Sequence, residues 1–227
     1  GIRERYVGDA IVAFFGAPVV FPDHAAKACI ACVEQIESIE RLRVEWWEAR
    51  IPWYVKIREN GLDLQFRIGL TTGPAKVGNF GSRAVKNYSM NGDIVNLASR
   101  LEGANKVYGT TMLCTEQTYL EAKEVVEARE VDLIVVVGKQ QPVKIYEVLG
   151  RKGALPAPRD QLPARFVEAL ALYRTRRFDE ARKVFQALLV TYPDDGPTKT
   201  YLARLDDAEY IASLPADWNG SWVASSK

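Results

Sequence analysis

The chain has 227 residues, of which 48% are hydrophobic and 26% charged, with a formal net charge of +1. That length allows one sizeable domain and an appendage, and the composition is ordinary for a folded globular protein. A charge so near zero gives no electrostatic case for nucleic acid or an anionic membrane as the main partner, and no run approaches the ~20 apolar residues of a membrane span.

In chain order, Ile2 to Val7 reads as a strand, Gly8-Asp9 as a tight turn, and Ala10 to Phe15 as a second strand. Two such runs across Gly-Asp predict a hairpin with Asp9 at its tip. Val20 to Asp23 is a loop, and Asp23 is placed to cap a long helix reaching about Arg50. Ala26, Ile30, Val33, Ile36 and Leu42 give that helix a core face. Trp46 and Trp47 at its end, with Trp53, either pack on the core or mark a partner surface. Cys29 and Cys32 form a C-x-x-C on the same helix. With 3 cysteines and 1 histidine in the chain, however, neither a zinc set nor a disulfide framework assembles. Small buried residues in a reducing, cytoplasmic compartment fit better.

Phe66 to Leu70 is a strand, Thr71 to Pro74 a turn, and Ala75 to Phe80 leads into a glycine-rich loop around Gly78 and Gly81. Such glycines admit close backbone approach, but alone they say little about phosphate. Asp93, after Gly92, can cap a helix on which Ile94, Leu97, Ala98 and Leu101 fall at i, i+3, i+4 and i+7, a single apolar stripe. Asn96 and Arg100 stack on the opposite face. They are either a solvated surface or an amide and a guanidinium presented to an anionic ligand or a partner. A strand at Thr111 to Thr115, a helix from Glu116 to about Ala128, and an antiparallel pair at Val131–Val137 and Val143–Leu149 complete an α+β pattern. Pro156, Pro158 and Pro163 then mark a linker over 151–163. In the helical segment 164–227, Ala169, Ala181 and Pro193 are equally spaced, resembling a tetratricopeptide-type helix pair that must dock on something. The tail is expected to be pinned by Trp218 and Trp222.

Y-S-M-N-G-D followed by V-N-L-A-S-R-L (Tyr88 to Leu101) resembles the signature of class III nucleotide cyclases, the adenylate and guanylate cyclases. R-Y-V-G-D-A-I-V-A-F-F-G-A-P (Arg5 to Pro18), F-R-I-G-L-T-T-G-P (Phe66 to Pro74) and V-G-N-F-G-S (Val77 to Ser82) agree in order, so the likeness spans roughly residues 1–150. It implies a ferredoxin-like cyclase core, with helices packed on one face of a sheet. It also implies conversion of ATP to cyclic AMP by attack of the ribose 3′-hydroxyl on the α-phosphate, assisted by two Mg²⁺ or Mn²⁺ ions. On the matching positions, Asp9 is a metal carboxylate, Asn96 orients the ribose, Arg100 stabilises charge on the α-phosphate, and Arg5 and Ser89 read the base. The resemblance further implies a homodimer whose sites are shared between protomers, and an upstream regulatory domain.

Some positions depart from the family. Arg5 stands where adenylate cyclases carry lysine; it still donates to adenine and argues against guanine. The triphosphate lysine falls on Val137, and Lys139, two residues on, is the candidate substitute. Asn91 replaces an apolar residue, with no evident reason. A guanylate or relaxed-specificity cyclase is therefore an alternative, as is a degenerate cyclase fold that binds nucleotide or a partner without turnover. The chain opens in mid-motif at Gly1-Ile2. The core is accordingly expected to lack its first strand and helices, with the second metal aspartate lying upstream. On that expectation these 227 residues alone are catalytically silent and prone to associate.

Overall fold

The structure, a computed structural model, describes residues 1–82, 84–135 and 141–223. Its centre is a mixed sheet ordered β3 (Ile68–Leu70), β6 (Met112–Thr115), β8 (Val143–Arg151), β7 (Val126–Val135) and β9 (Trp222–Val223). β3 runs parallel to β6 and β9 parallel to β7, while β6–β8 and β7–β8 are antiparallel. The fold is α+β, with helices packed on a mixed sheet.

Those helices cover both faces, which corrects the one-faced core that the resemblance implies. Leu113 and Ile145 meet Leu97 and Leu101 of α3 (Asp93–Tyr108) on one side. On the other, Met112, Cys114 and Val148 meet Cys29 and Val33 of α1 (His24–Glu48) and Ala122 of α4 (Glu116–Ala122). Alternate residues of β6 thus enter opposite cores, and all of its residues are buried. α3 lies so close to β3 that a Cβ at Gly69 would stand 2.0 Å from the Ala98 carbonyl oxygen. Only glycine allows that approach.

Local capping follows other lines than the sequence suggests. Gly92 occupies the cap position of α3, and Asp93 is its first helical residue, where a carboxylate acts on the helix dipole. Asp23 precedes α1 without a side-chain capping bond and instead pairs with Lys27 at 3.1 Å. The predicted helix from Glu116 to about Ala128 stops at Ala122, because Val126 to Val135 alternates into the sheet against β8. An additional helix, α2 (Pro52–Glu59), packs Trp53 and Tyr54 edge-on against Trp46, so this aromatic cluster stands apart from the sheet cores. Cys29, Cys32 and Cys114 are free thiols. Burial pushes the Cys29 thiol up to about 12 and that of Cys32 up to about 11, and Cys29 packs in the core with Val33 and Met112.

Beyond β8 the chain forms α5 (Leu162–Arg174), α6 (Phe178–Thr191), α7 (Gly196–Asp206) and α8 (Ala208–Ser213). Ala169 and Ala181 are fully buried where α5 and α6 meet, in a core that includes Phe166, Phe185 and Tyr201. This unit is fastened to β7 by buried polar groups. The Arg129 guanidinium, its side chain only 1% exposed, pairs with Glu147 at 2.6 Å and Asp195 at 2.5 Å and lies over the Phe166 ring. Tyr201 Oη donates to the Val131 carbonyl, and Arg204 pairs with Asp132 at 2.6 Å. Burial alone would lower the pKa values of both arginines, but their carboxylates hold them above the ordinary arginine range. A Cβ at Gly196 would meet the Tyr108 carbonyl oxygen at 2.1 Å, so α7 starts almost in contact with the end of α3. The tail is pinned as its tryptophans predict: Trp218 packs on Tyr173, and Trp222 on Tyr108 and the Arg204 guanidinium.

Candidate nucleotide site

Two hairpins, separate from the main sheet, build the site. β1 (Ile2–Val7) and β2 (Ala10–Phe14) turn through Gly8-Asp9, as the sequence predicts. β4 (Lys76–Gly81) and β5 (Lys86–Asn91) form the second, so Gly78 sits within a strand, opposite Ser89, and not in the predicted glycine-rich loop. β5 leads through Gly92 directly into α3, which ties Ser89 to Asn96 through one turn of backbone.

Arg5, Ser89 and Asn96 come together. One cavity of about 430 Å³ is lined by Glu4, Arg5, Phe80, Tyr88 and Ser89 among others. Its neighbour, about 300 Å³, shares Arg5, Phe80 and Ser89 and ends at Asn96. They form a continuous crevice with a guanidinium, a hydroxyl and a carboxamide at successive positions and the Phe80 ring as an apolar wall. Asn96 and Arg100 are exposed while Leu97 and Leu101 are buried, so the two polar residues do face away from the core. Arg100 lies one turn beyond Asn96 and does not line the crevice. Asp9 is exposed at the hairpin tip, also outside it. Lys139 and Val137 lie outside the described residues.

No group of three histidine, cysteine or carboxylate side chains that could hold a metal ion occurs among the described residues. Asp9 alone does not make a two-metal site, because Mg²⁺ is held against water by more than one hard oxygen ligand.

Sequence reasoning missed Glu4. Arg3 pairs with Ala13 and Arg5 with Val12, which leaves Glu4 as the extra residue of a β-bulge. A bulge re-aims a side chain, and this one turns Glu4 inward against β5. The Glu4 side chain is 3% exposed. Its Oε1 accepts from Ser89 Oγ at 2.5 Å and from Arg5 Nη1 at 2.7 Å. An acidic residue beside Arg5 was visible in R-E-R-Y-V-G-D, but the bulge that buries it was not.

The chain matches the family model "Adenylate and Guanylate cyclase catalytic domain" over residues 4–150. It is 32% identical over 150 residues to "Adenylate cyclase 1" of Rhizobium meliloti (strain 1021), covering 66% of this chain and 21% of that protein. It is 31% identical over 152 residues to "Adenylate cyclase" of Anabaena cylindrica, covering 65% of this chain and 28% of that one. The chain thus spans under a third of the length of either relative. Among solved structures, the adenylyl cyclase CyaB from P. aeruginosa superposes with a TM-score of 0.55 at 31% identity, covering 68% of this chain and 74% of that chain. The guanylyl cyclase Cya2 does so with a TM-score of 0.52 at 28% identity, covering 68% and 72%. No helix among the described residues is long and apolar enough to cross a membrane. With β3, β6 and β7 of its sheet, its crevice and its signature residues falling within the matched span, the chain belongs to the adenylate and guanylate cyclase catalytic domain family.

Proposed function

We propose that this chain is the catalytic part of an adenylate cyclase, which forms cyclic AMP and pyrophosphate from ATP in a site shared across a homodimer. The observation that carries this reading is the convergence of Arg5, Ser89 and Asn96 on one crevice. Arg5 donates to the adenine ring nitrogen, Ser89 meets the exocyclic amine, and Phe80 lies along the base. Asn96 holds the ribose so that its 3′-oxygen faces the α-phosphorus, a gain in orientation. Arg100, further along the same helix face, stabilises charge developing on the α-phosphate, and Lys139 meets the outer phosphates. Asp9 stands apart from its own crevice, which suits a carboxylate offered to the partner protomer's site. The divalent pair, Mg²⁺ or Mn²⁺, would need further ligands beside it.

A guanylate or relaxed-specificity cyclase is the alternative, since the matched family covers both activities. Comparing kcat/KM for ATP and GTP on the full-length protein decides between the two. ATP is expected to be preferred, and a GTP preference would refute the adenylate reading.

A further inference from the structure

Ser89 and Arg5 touch the crevice, but the buried carboxylate behind them governs how they act there. A carboxylate only accepts hydrogen bonds, and a serine hydroxyl has a single hydrogen to give. Ser89 directs that hydrogen to Glu4 Oε1 at 2.5 Å. Towards the crevice its oxygen therefore offers lone pairs only. Arg5, also tied to Glu4 Oε1, can do nothing but donate. The two residues thus present a fixed acceptor beside a fixed donor.

The Watson–Crick edge of adenine carries an acceptor at N1 and a donor at the exocyclic amine, so it complements this pair at both positions. Guanine carries N1–H and O6 there, and it would set donor against donor and acceptor against acceptor. Although Glu4 is among the residues lining the cavity, it has no free oxygen to offer a base: Oε1 is taken by Ser89 and Arg5, and Oε2 is sealed from solvent without a hydrogen-bond partner among the described residues. Leaving a buried polar atom unsatisfied costs stability, so this carboxylate calls for a reason beyond folding.

We propose that Glu4 is a positioning residue for base selection: by accepting the Ser89 proton it fixes the hydroxyl as an acceptor, and thereby selects a 6-amino over a 6-oxo purine. This deepens the adenylate reading and rests on it.

Glu4→Gln, which keeps size and shape, is the test. Its amide can donate to Ser89 Oγ and free the hydroxyl to point its hydrogen into the crevice. The ratio of kcat/KM for ATP to that for GTP is expected to fall by about tenfold, the worth of one hydrogen bond set the wrong way round. In a Ser89→Ala background the same Glu4→Gln change should leave the ratio unmoved, which a merely structural role would not produce. Displacement of a fluorescent ATP analogue by ATP and by GTP reads the ratio without turnover, and binding of either nucleotide shows that the variant is folded. Glu4→Ala, which releases the hydroxyl without supplying a donor, should lower the ratio less. An ATP-preferring wild type whose ratio is unaltered by Glu4→Gln, or altered equally without Ser89, overturns the proposal and leaves the adenylate reading standing. A GTP-preferring wild type overturns both.

Discussion

In the full-length protein, replacing Arg100 by Ala is expected to lower turnover on ATP by about a hundredfold or more, the cost implied by its proposed role as a charged donor aimed at the transition state. Arg100 is exposed on α3 one turn past Asn96, where the crevice ends, which under the proposed function puts its guanidinium on the phosphate side of the ribose. The loss should fall on kcat. A variant with near-normal kcat and an unchanged KM would remove Arg100 from the reaction. Asp9→Ala should be equally inactive, since the proposed function makes Asp9 a metal carboxylate. Because Asp9 lies outside its own crevice, the two inactive proteins are expected to complement each other. A mixed dimer pairs the intact Asp9 of one protomer with the intact Arg100 of the other and regains one site. Activity that stays at background over a range of mixing ratios would argue against a shared site.

Arg129→Met should destabilise the protein by about 3–5 kcal/mol, among the largest effects of any single change in the chain. The guanidinium holds the Glu147 and Asp195 carboxylates at 2.6 and 2.5 Å, all three side chains being largely sealed from water. Methionine fills much of the volume but leaves two buried carboxylates facing each other without their cation. Asp195 also accepts from the Thr198 amide at the start of α7, so helix capping is disturbed in the same step. Chemical denaturation measures the difference. A shift below about 1 kcal/mol would mean that water already reaches the triad, as in an exposed pair.

What could be read from the sequence was local. The hairpin at Gly8-Asp9 and the stripe Ile94, Leu97, Ala98, Leu101 are short-range patterns, and both appear where the residues put them. Arg5, Ser89 and Asn96 were singled out separately from the resemblance, and they line one crevice because β5 passes straight into α3. The illegible parts depend on distant partners. Nothing in V-V-E-A-R-E-V announces a strand whose arginine is neutralised from α7, so the stretch reads as the end of a helix. Glu4 was hidden for a different reason: strict alternation along β1 would separate it from Arg5, and the bulge cancels that alternation.

The fastening of α5 to α7 onto β7 bears on how such a chain can diverge. Arg129 and Asp132 lie within residues 4–150, the span that the cyclase catalytic-domain family model matches, whereas Asp195 and Arg204 lie beyond it. Exchange by recombination near residue 150 would hand each charge a stranger for a partner, and a buried ion left alone is far costlier than a poor surface contact. Positions 129, 132, 195 and 204 should therefore be inherited as a set, with a change at one tolerated only when its counterpart changes too. In lineages where the helices are absent, apolar or small residues are expected at positions 129 and 132. The seam between catalytic core and appendage is the place where this protein is least free to be divided.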